Sequence, residues 1–123
     1  MAARRKAPKR AKAAKPLTAS QATRLLREYG GSPDLKFLWT EHAKEQMALR
    51  DLIVGDVLYI LKMGFVYDAG VSTSRPGFFK YQMECSTPNS NNRSVRIVVI
   101  LSKSQAVKVV TVMWADEPAQ GAQ

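Results

Sequence analysis

His42, Gln46 and Arg50 recur at four-residue spacing. On a helix each such step advances about 6 Å and turns about 40°, so the three share one face. The ordinary pKa of an imidazole lies near neutrality, and a guanidinium is a fixed cation. The pair suits phosphodiester chemistry. Metal-free RNA cleavage needs a base for the 2′-hydroxyl, an acid for the leaving oxygen and cations for the charge that builds at phosphorus. The sequence holds one His, which fills one proton-transfer role; the other falls to Tyr81, a Lys or a carboxylate. Arg96 interrupts an otherwise apolar run, SVRIVVILS, and either points to solvent or lines an anionic site. Each residue also has a plainer use. His42 caps or packs a helix start, Arg50 complements a helix C-terminus, and Tyr81 packs in the core with its hydroxyl at the edge. Cys85, alone on an alternating stretch, reads as a small buried hydrophobe rather than a nucleophile, and Trp39 and Trp114 read as packing residues.

Several common chemistries lack their motifs. The sequence has no Gly-rich phosphate loop with a Lys, no dinucleotide fingerprint and no nucleophile elbow. One Cys and one His make neither a zinc cluster nor an internal disulfide. The expectation is a protein without cofactor or bound metal. No apolar run approaches the roughly 18 residues of a membrane span, and none follows the N-terminal cations as a secretory signal requires. The location expected is cytoplasmic, with no membrane partner.

The chain has 123 residues, 19 Lys and Arg against 10 Asp and Glu, and a net charge of +9. The excess is uneven. Arg4, Arg5, Lys6, Lys9, Arg10, Lys12 and Lys15 fall within the first 16 residues, which contain no acid. Residues 17–123 carry the other 12 cations and all 10 acids, a net of +2. Residues 1–16 lack the apolar surface to fold. They read as a disordered basic arm in which Arg4, Arg5, Lys6, Lys9 and Arg10 contact nucleic-acid phosphates; the plainer reading is a solubilising extension.

The elements that must position these residues follow from periodicity. Thr18 to Gln21 forms a capping box, and Ala22, Leu25, Leu26 and Tyr29 give a helix over about 19–29, ended by Gly30-Gly31 in a left-handed cap. Residues 36–39 read as a short strand, 41–50 as a helix capped by Thr40, and 56–63 as a third helix stopped by Gly64. The period then changes to two. Strands are expected at 65–71, 78–85, 95–101 and 107–114, with Ser86–Ser94 a polar loop that has nothing to pack. The fold class expected is α+β: N-terminal helices on a four-stranded (three to five) antiparallel sheet. Residues 17–115 make one domain, and 116–123 a disordered tail.

Trp39-Thr40-Glu41-His42-Ala43, then Met47 and Arg50, then a short helix closed by Gly64, resembles the opening of a domain-of-unknown-function family, and Val109–Val112 resembles its closing strand. The resemblance covers about 37–115. That family is similar to the RelE-like and BrnT-like toxins of bacterial toxin–antitoxin pairs. The resemblance implies a RelE-like fold with a concave sheet face for RNA, and a toxin-like RNA-binding protein or metal-independent endoribonuclease. In it His42 would move the proton, Arg50 and Arg96 would bind or stabilise phosphate, and Tyr81 and Thr111 would orient substrate; Gln46, on the His42 face, is a further substrate-binding candidate. RNA or another nucleic acid and an antitoxin-like protein are the partners implied. Gln46 stands where many members have an Arg, and Asp51 where a Gly commonly follows the second Arg. The alternative function is a non-catalytic nucleic-acid-binding or protein-interaction module that uses the basic arm.

Overall fold

The computed structural model describes residues 15–101 and 106–117. Arg4, Arg5, Lys6, Lys9 and Arg10 of the expected arm, and residues 118–123, lie outside the described residues. Helix α1 spans Ala19–Gly30. Its start is the expected reciprocal cap: the Gln21 N–H donates to Thr18 Oγ1 at 3.2 Å and the Thr18 N–H to Gln21 Oε1 at 3.0 Å. Its end differs from expectation, because Gly31 has φ −91° and is not left-handed. The glycine that matters is Gly30, where a Cβ would stand 2.9 Å from Leu61 Cβ. Gly30 lets α1 cross closely over α3, Val54–Met63. Arg27 fastens the crossing by donating to the Gly64 and Met63 carbonyls at 3.1 and 3.3 Å, which satisfies acceptors at the end of α3.

The strands are β1 Lys36–Trp39, β2 Phe65–Val66, β3 Val71–Ser72, β4 Phe79–Ser86, β5 Ser94–Leu101 and β6 Ala106–Trp114. They form one six-stranded sheet in the order β1-β6-β5-β4-β2, with β3 also on β4. The fold is α+β as expected, but the sheet is neither four-stranded nor wholly antiparallel. β1 runs parallel to β6, with Lys36 opposite Ala106 and Trp39 opposite Val109. The chain between them is long enough for the crossover that parallel neighbours need. The expected strand 65–71 is broken into β2 and β3. Phe65 and Val66 pair with Glu84 and Met83, and Val71 and Ser72 with Lys80 and Phe79, so the edge takes five steps where β4 takes three. The detour passes Gly70, whose N–H donates to the Leu17 carbonyl at 3.2 Å. A Cβ on Gly70 would sit 2.6 Å from the Tyr81 ring, so glycine is required there by close approach.

The core lies between the helices and one face of the sheet, with Leu26, Val57, Ile60, Leu61, Met83, Ile97 and Val112 fully buried. The loop 86–94 does pack, contrary to expectation. Thr87 and Ser90 are buried, as is Asp56 of α3. Asp56 Oδ1 accepts from the Thr87 hydroxyl at 2.7 Å, and its Oδ2 from Asn89 Nδ2 at 3.0 Å and the Ile53 N–H at 2.8 Å. One carboxylate therefore caps the start of α3 and anchors the loop. Asn91 and Asn92 turn the loop at φ 57° and 67°, a region asparagine tolerates.

Helix α2, Glu41–Leu49, lies beside the part of β6 that β1 does not reach. The Thr40 N–H donates to the Val109 carbonyl at 3.1 Å and its hydroxyl to that of Val110 at 3.3 Å. Gln46 Oε1 accepts from the Val112 N–H at 2.9 Å and Glu117 Oε1 from the Trp114 N–H at 2.6 Å. Side chains thus satisfy the edge of β6 where a further strand would otherwise be needed. Among the described residues no helix is long and apolar enough to cross a membrane.

Candidate nucleic-acid interface

The face shared by His42, Gln46 and Arg50 is used chiefly for architecture. Gln46, 4% exposed, is committed to the Val112 amide. Arg50 closes α2 by donating Nη1 to the Gln46 carbonyl at 3.1 Å. Its Nε and Nη2 donate to the two oxygens of Glu117 at 2.8 and 2.6 Å, a fork that holds a carboxylate in one orientation. These bonds from Arg50, with help from the Trp114 amide and the charges of Arg50 and Arg93, hold the Glu117 carboxyl down to about 2 against the opposing effect of burial. The same bonds push the Arg50 guanidinium upward. His42, about two turns before Arg50, is exposed and makes no hydrogen bond or ion pair among the described residues.

Tyr81 and Arg96 stand on opposite sides of the sheet. Tyr81 alternates with Met83 on the core side of β4, is 4% exposed, and accepts the Leu17 N–H on its hydroxyl at 2.9 Å. Arg96 and Thr111 alternate with buried Val95, Ile97 and Val112, which places them on the other face. Arg96 Nε donates to Glu84 Oε2 at 2.7 Å, directly across the β4–β5 ladder. The residues singled out by sequence are therefore distributed over three places: α2, the core and the far face. Arg50 and Arg96 each carry a carboxylate partner.

Among the described residues the far face is the side that no helix covers, and it has a chemical pattern of its own. Ladder positions make rows across it. Lys80, Ile100, Lys108 and Leu38 form one row; Gln82, Val98 and Thr111 form the next, and Glu84, Arg96 and Met113 the one after. Lys36 alternates with Leu38 on the same side of β1. Lys36, Lys80 and Lys108 are exposed, and none has an ion pair among the described residues. Interstrand spacing puts Lys80 and Lys108 about 10 Å apart. The one acid of these rows, Glu84, is paired with Arg96. At the Lys108 end a recess of about 360 Å³ is bounded by Leu38, Ile100, Lys108, Phe78 and Arg75, with the Arg75 guanidinium 4.5 Å from the Phe78 ring centroid. Cations spaced over apolar and aromatic ground can hold phosphates while bases lie on the surface between them.

Sequence reasoning passed over Lys36, Lys80 and Lys108. Lys108 breaks the apolar run AVKVV as Arg96 breaks its own, and Lys80 is the polar phase of an alternating strand. Reading the polar phases of neighbouring strands together would have found the face. Glu117, Asp56 and Thr87 had no local pattern, since each acts through a partner distant in sequence.

A family model described as a domain of unknown function, DUF4258, matches residues 39–114, more than half of the chain. No curated protein matches this sequence and no solved structure matches it.

Proposed function

We propose the following for this chain, which belongs to the DUF4258 family: it is an RNA-binding protein, toxin-like in the sense of the resemblance above, and it takes a strand on the uncovered face of its sheet. The observation that carries the reading is a set of three lysines without an ion pair among the described residues. Lys36, Lys80 and Lys108 stand on that face with no free acid among them, in a body whose net charge is only +2 over residues 17–123. Leu38, Val98 and Ile100 supply apolar ground between them, and Phe78 borders the recess at one end. The basic residues 1–16 add an unspecific tether to the same polyanion.

The arrangement supports binding better than cleavage. Arg50, Arg96 and Tyr81, which a phosphorus intermediate would need together, stand in three separate places: the end of α2, the far face of the sheet and the core. The metal-independent ribonuclease is the second reading, favoured by the exposed and uncommitted imidazole of His42. One experiment separates the two. A labelled single-stranded RNA is titrated with wild type, with Lys36→Glu/Lys80→Glu/Lys108→Glu and with His42→Ala, in chelator. Binding expects at least about tenfold weaker affinity in the triple variant and a shallower salt dependence, with His42→Ala unchanged and the RNA intact. RNA cleaved by wild type and spared by His42→Ala establishes the ribonuclease instead, and an unaltered affinity in the triple variant rejects the sheet face.

A further inference from the structure

Two consecutive acids just beyond the last strand fill two guanidinium forks. Glu117 receives Arg50 Nε and Nη2 on its two oxygens and the Trp114 N–H on one of them. Asp116 receives Arg93 Nε and Nη2 at 3.1 and 2.9 Å. The Arg93 guanidinium lies 4.3 Å from the Trp114 ring centroid, and Arg50, Arg93, Asp116 and Glu117 act on one another electrostatically as a single cluster. Arg50, Arg93 and Trp114 fall inside the span 39–114 that defines the family match, whereas Asp116 and Glu117 fall outside it. The domain itself therefore presents two forked cations, an aromatic face and a backbone amide, and the anions that neutralise them come from the chain that follows.

The Arg50 fork does not depend on Glu117 for its aim, because Nη1 is fixed to the Gln46 carbonyl at the end of α2. A fork pre-set in this way accepts any anion that offers two oxygens, and phosphate matches it as well as carboxylate does. We infer that Arg50, Arg93 and the Trp114 amide form a second anion site, that its ligand is a phosphodiester of a nucleic-acid strand, and that Asp116 and Glu117 occupy it in cis as an autoinhibitory plug. A tethered plug competes at an effective concentration in the millimolar range. A lone phosphate is a weak rival to it. A polyanionic strand held at the same time by the seven cations of residues 1–16 is a strong one, and the Trp114 ring beside the forks, a surface for a stacked base, favours nucleic acid over an acidic peptide. The site is separate from the lysine face and shares only its ligand class.

The test uses the full chain and a short labelled single-stranded RNA. Asp116→Asn/Glu117→Gln removes the charge of the plug and keeps its shape. Asp34→Asn/Asp68→Asn removes two exposed acids outside the cluster and measures the general effect of charge. The plug variant should bind at least about fivefold tighter than wild type and the control no more than about twofold, with a salt slope steeper by about one to two. Adding Arg50→Gln/Arg93→Gln should cancel the gain. In isotope-labelled protein the Arg50 Nε–H resonance should move on adding inorganic phosphate to the plug variant, and stay still in wild type. If the double variant fails to fold, Glu117→Gln alone carries the same comparison. A gain no larger than the control, or one that survives loss of both arginines, overturns the site; an equal gain for a polyglutamate peptide overturns the phosphodiester assignment. Failure of the lysine face appears in a different variant, so the two outcomes stay distinguishable.

Discussion

Arg50 shows how one side chain can satisfy a helix end and hold a distant segment. It accounts for the acid sensitivity expected of the fold. The Glu117 carboxyl is held near 2 against an ordinary 4.5, so its contribution is complete above pH 4.5 and is lost as pH falls toward 2. With about a quarter of the carboxylate side chain exposed, screening leaves it worth about 1–2 kcal/mol. Glu117→Gln should lower the urea midpoint at pH 6 and leave a flatter stability profile between pH 4.5 and 2 than wild type has. The next residue makes a separate prediction. Asp51 follows the end of α2 at φ 55°, the left-handed position where helices favour glycine. A residue with a Cβ holds this backbone at a small strain. Asp51→Gly should stabilise by about 0.5–1 kcal/mol and Asp51→Val should destabilise by about 1–2 kcal/mol, read as opposite shifts in the thermal midpoint.

At the scale of elements, helix α2 works as the missing neighbour of β6. Gln46→Leu removes the acceptor of the Val112 N–H and leaves it buried without a partner. A loss of about 1–3 kcal/mol is expected, together with faster hydrogen exchange at Val112 than at Val109, which β1 still covers. The Asp56 junction is the comparable knot on the other side of the fold. Asp56→Ala should melt the 86–94 loop before the sheet, seen as early loss of the Asn91 and Asn92 amide signals on heating. Helices were legible because caps and apolar spacing are local: Thr18 with Gln21, Thr40 with Ala43, and the run ended by Gly64 all read directly. The partner of β1 was not legible, since parallel pairing of residues 36–39 with 106–109 leaves no mark within either segment. The break between β2 and β3 was missed because Val66 and Val71 look continuous, while the crowding of Gly70 against Tyr81 is a tertiary fact. His42, Gln46 and Arg50 were found by spacing, but Gln46 and Arg50 proved to be committed to backbone and Glu117, which spacing alone cannot show.

For the whole molecule, charge is arranged in three tiers: a cationic N-terminal stretch, a sheet face with unpaired lysines, and arginines closed by their own acids. Each tier predicts a different salt response. Deleting residues 1–14 should weaken RNA binding and flatten the plot of log affinity against log salt by several phosphate contacts, whereas the lysine triple should flatten it by about two to three.

The sheet also controls what it refuses. One of its edges is divided into two-residue pieces by the detour over Gly70. The other is a four-residue strand that starts with Lys36, followed on β6 by carbonyls already claimed by Thr40 and amides already claimed by Gln46 and Glu117. Among the described residues neither edge offers the long run of vacant backbone groups on which another chain could template itself. The fold is thereby shielded from strand-by-strand polymerisation, although one face of its sheet carries no helix among the described residues. It should remain monodisperse in concentrated solution, and a protein partner must recognise its surfaces by side chains rather than by extending its sheet.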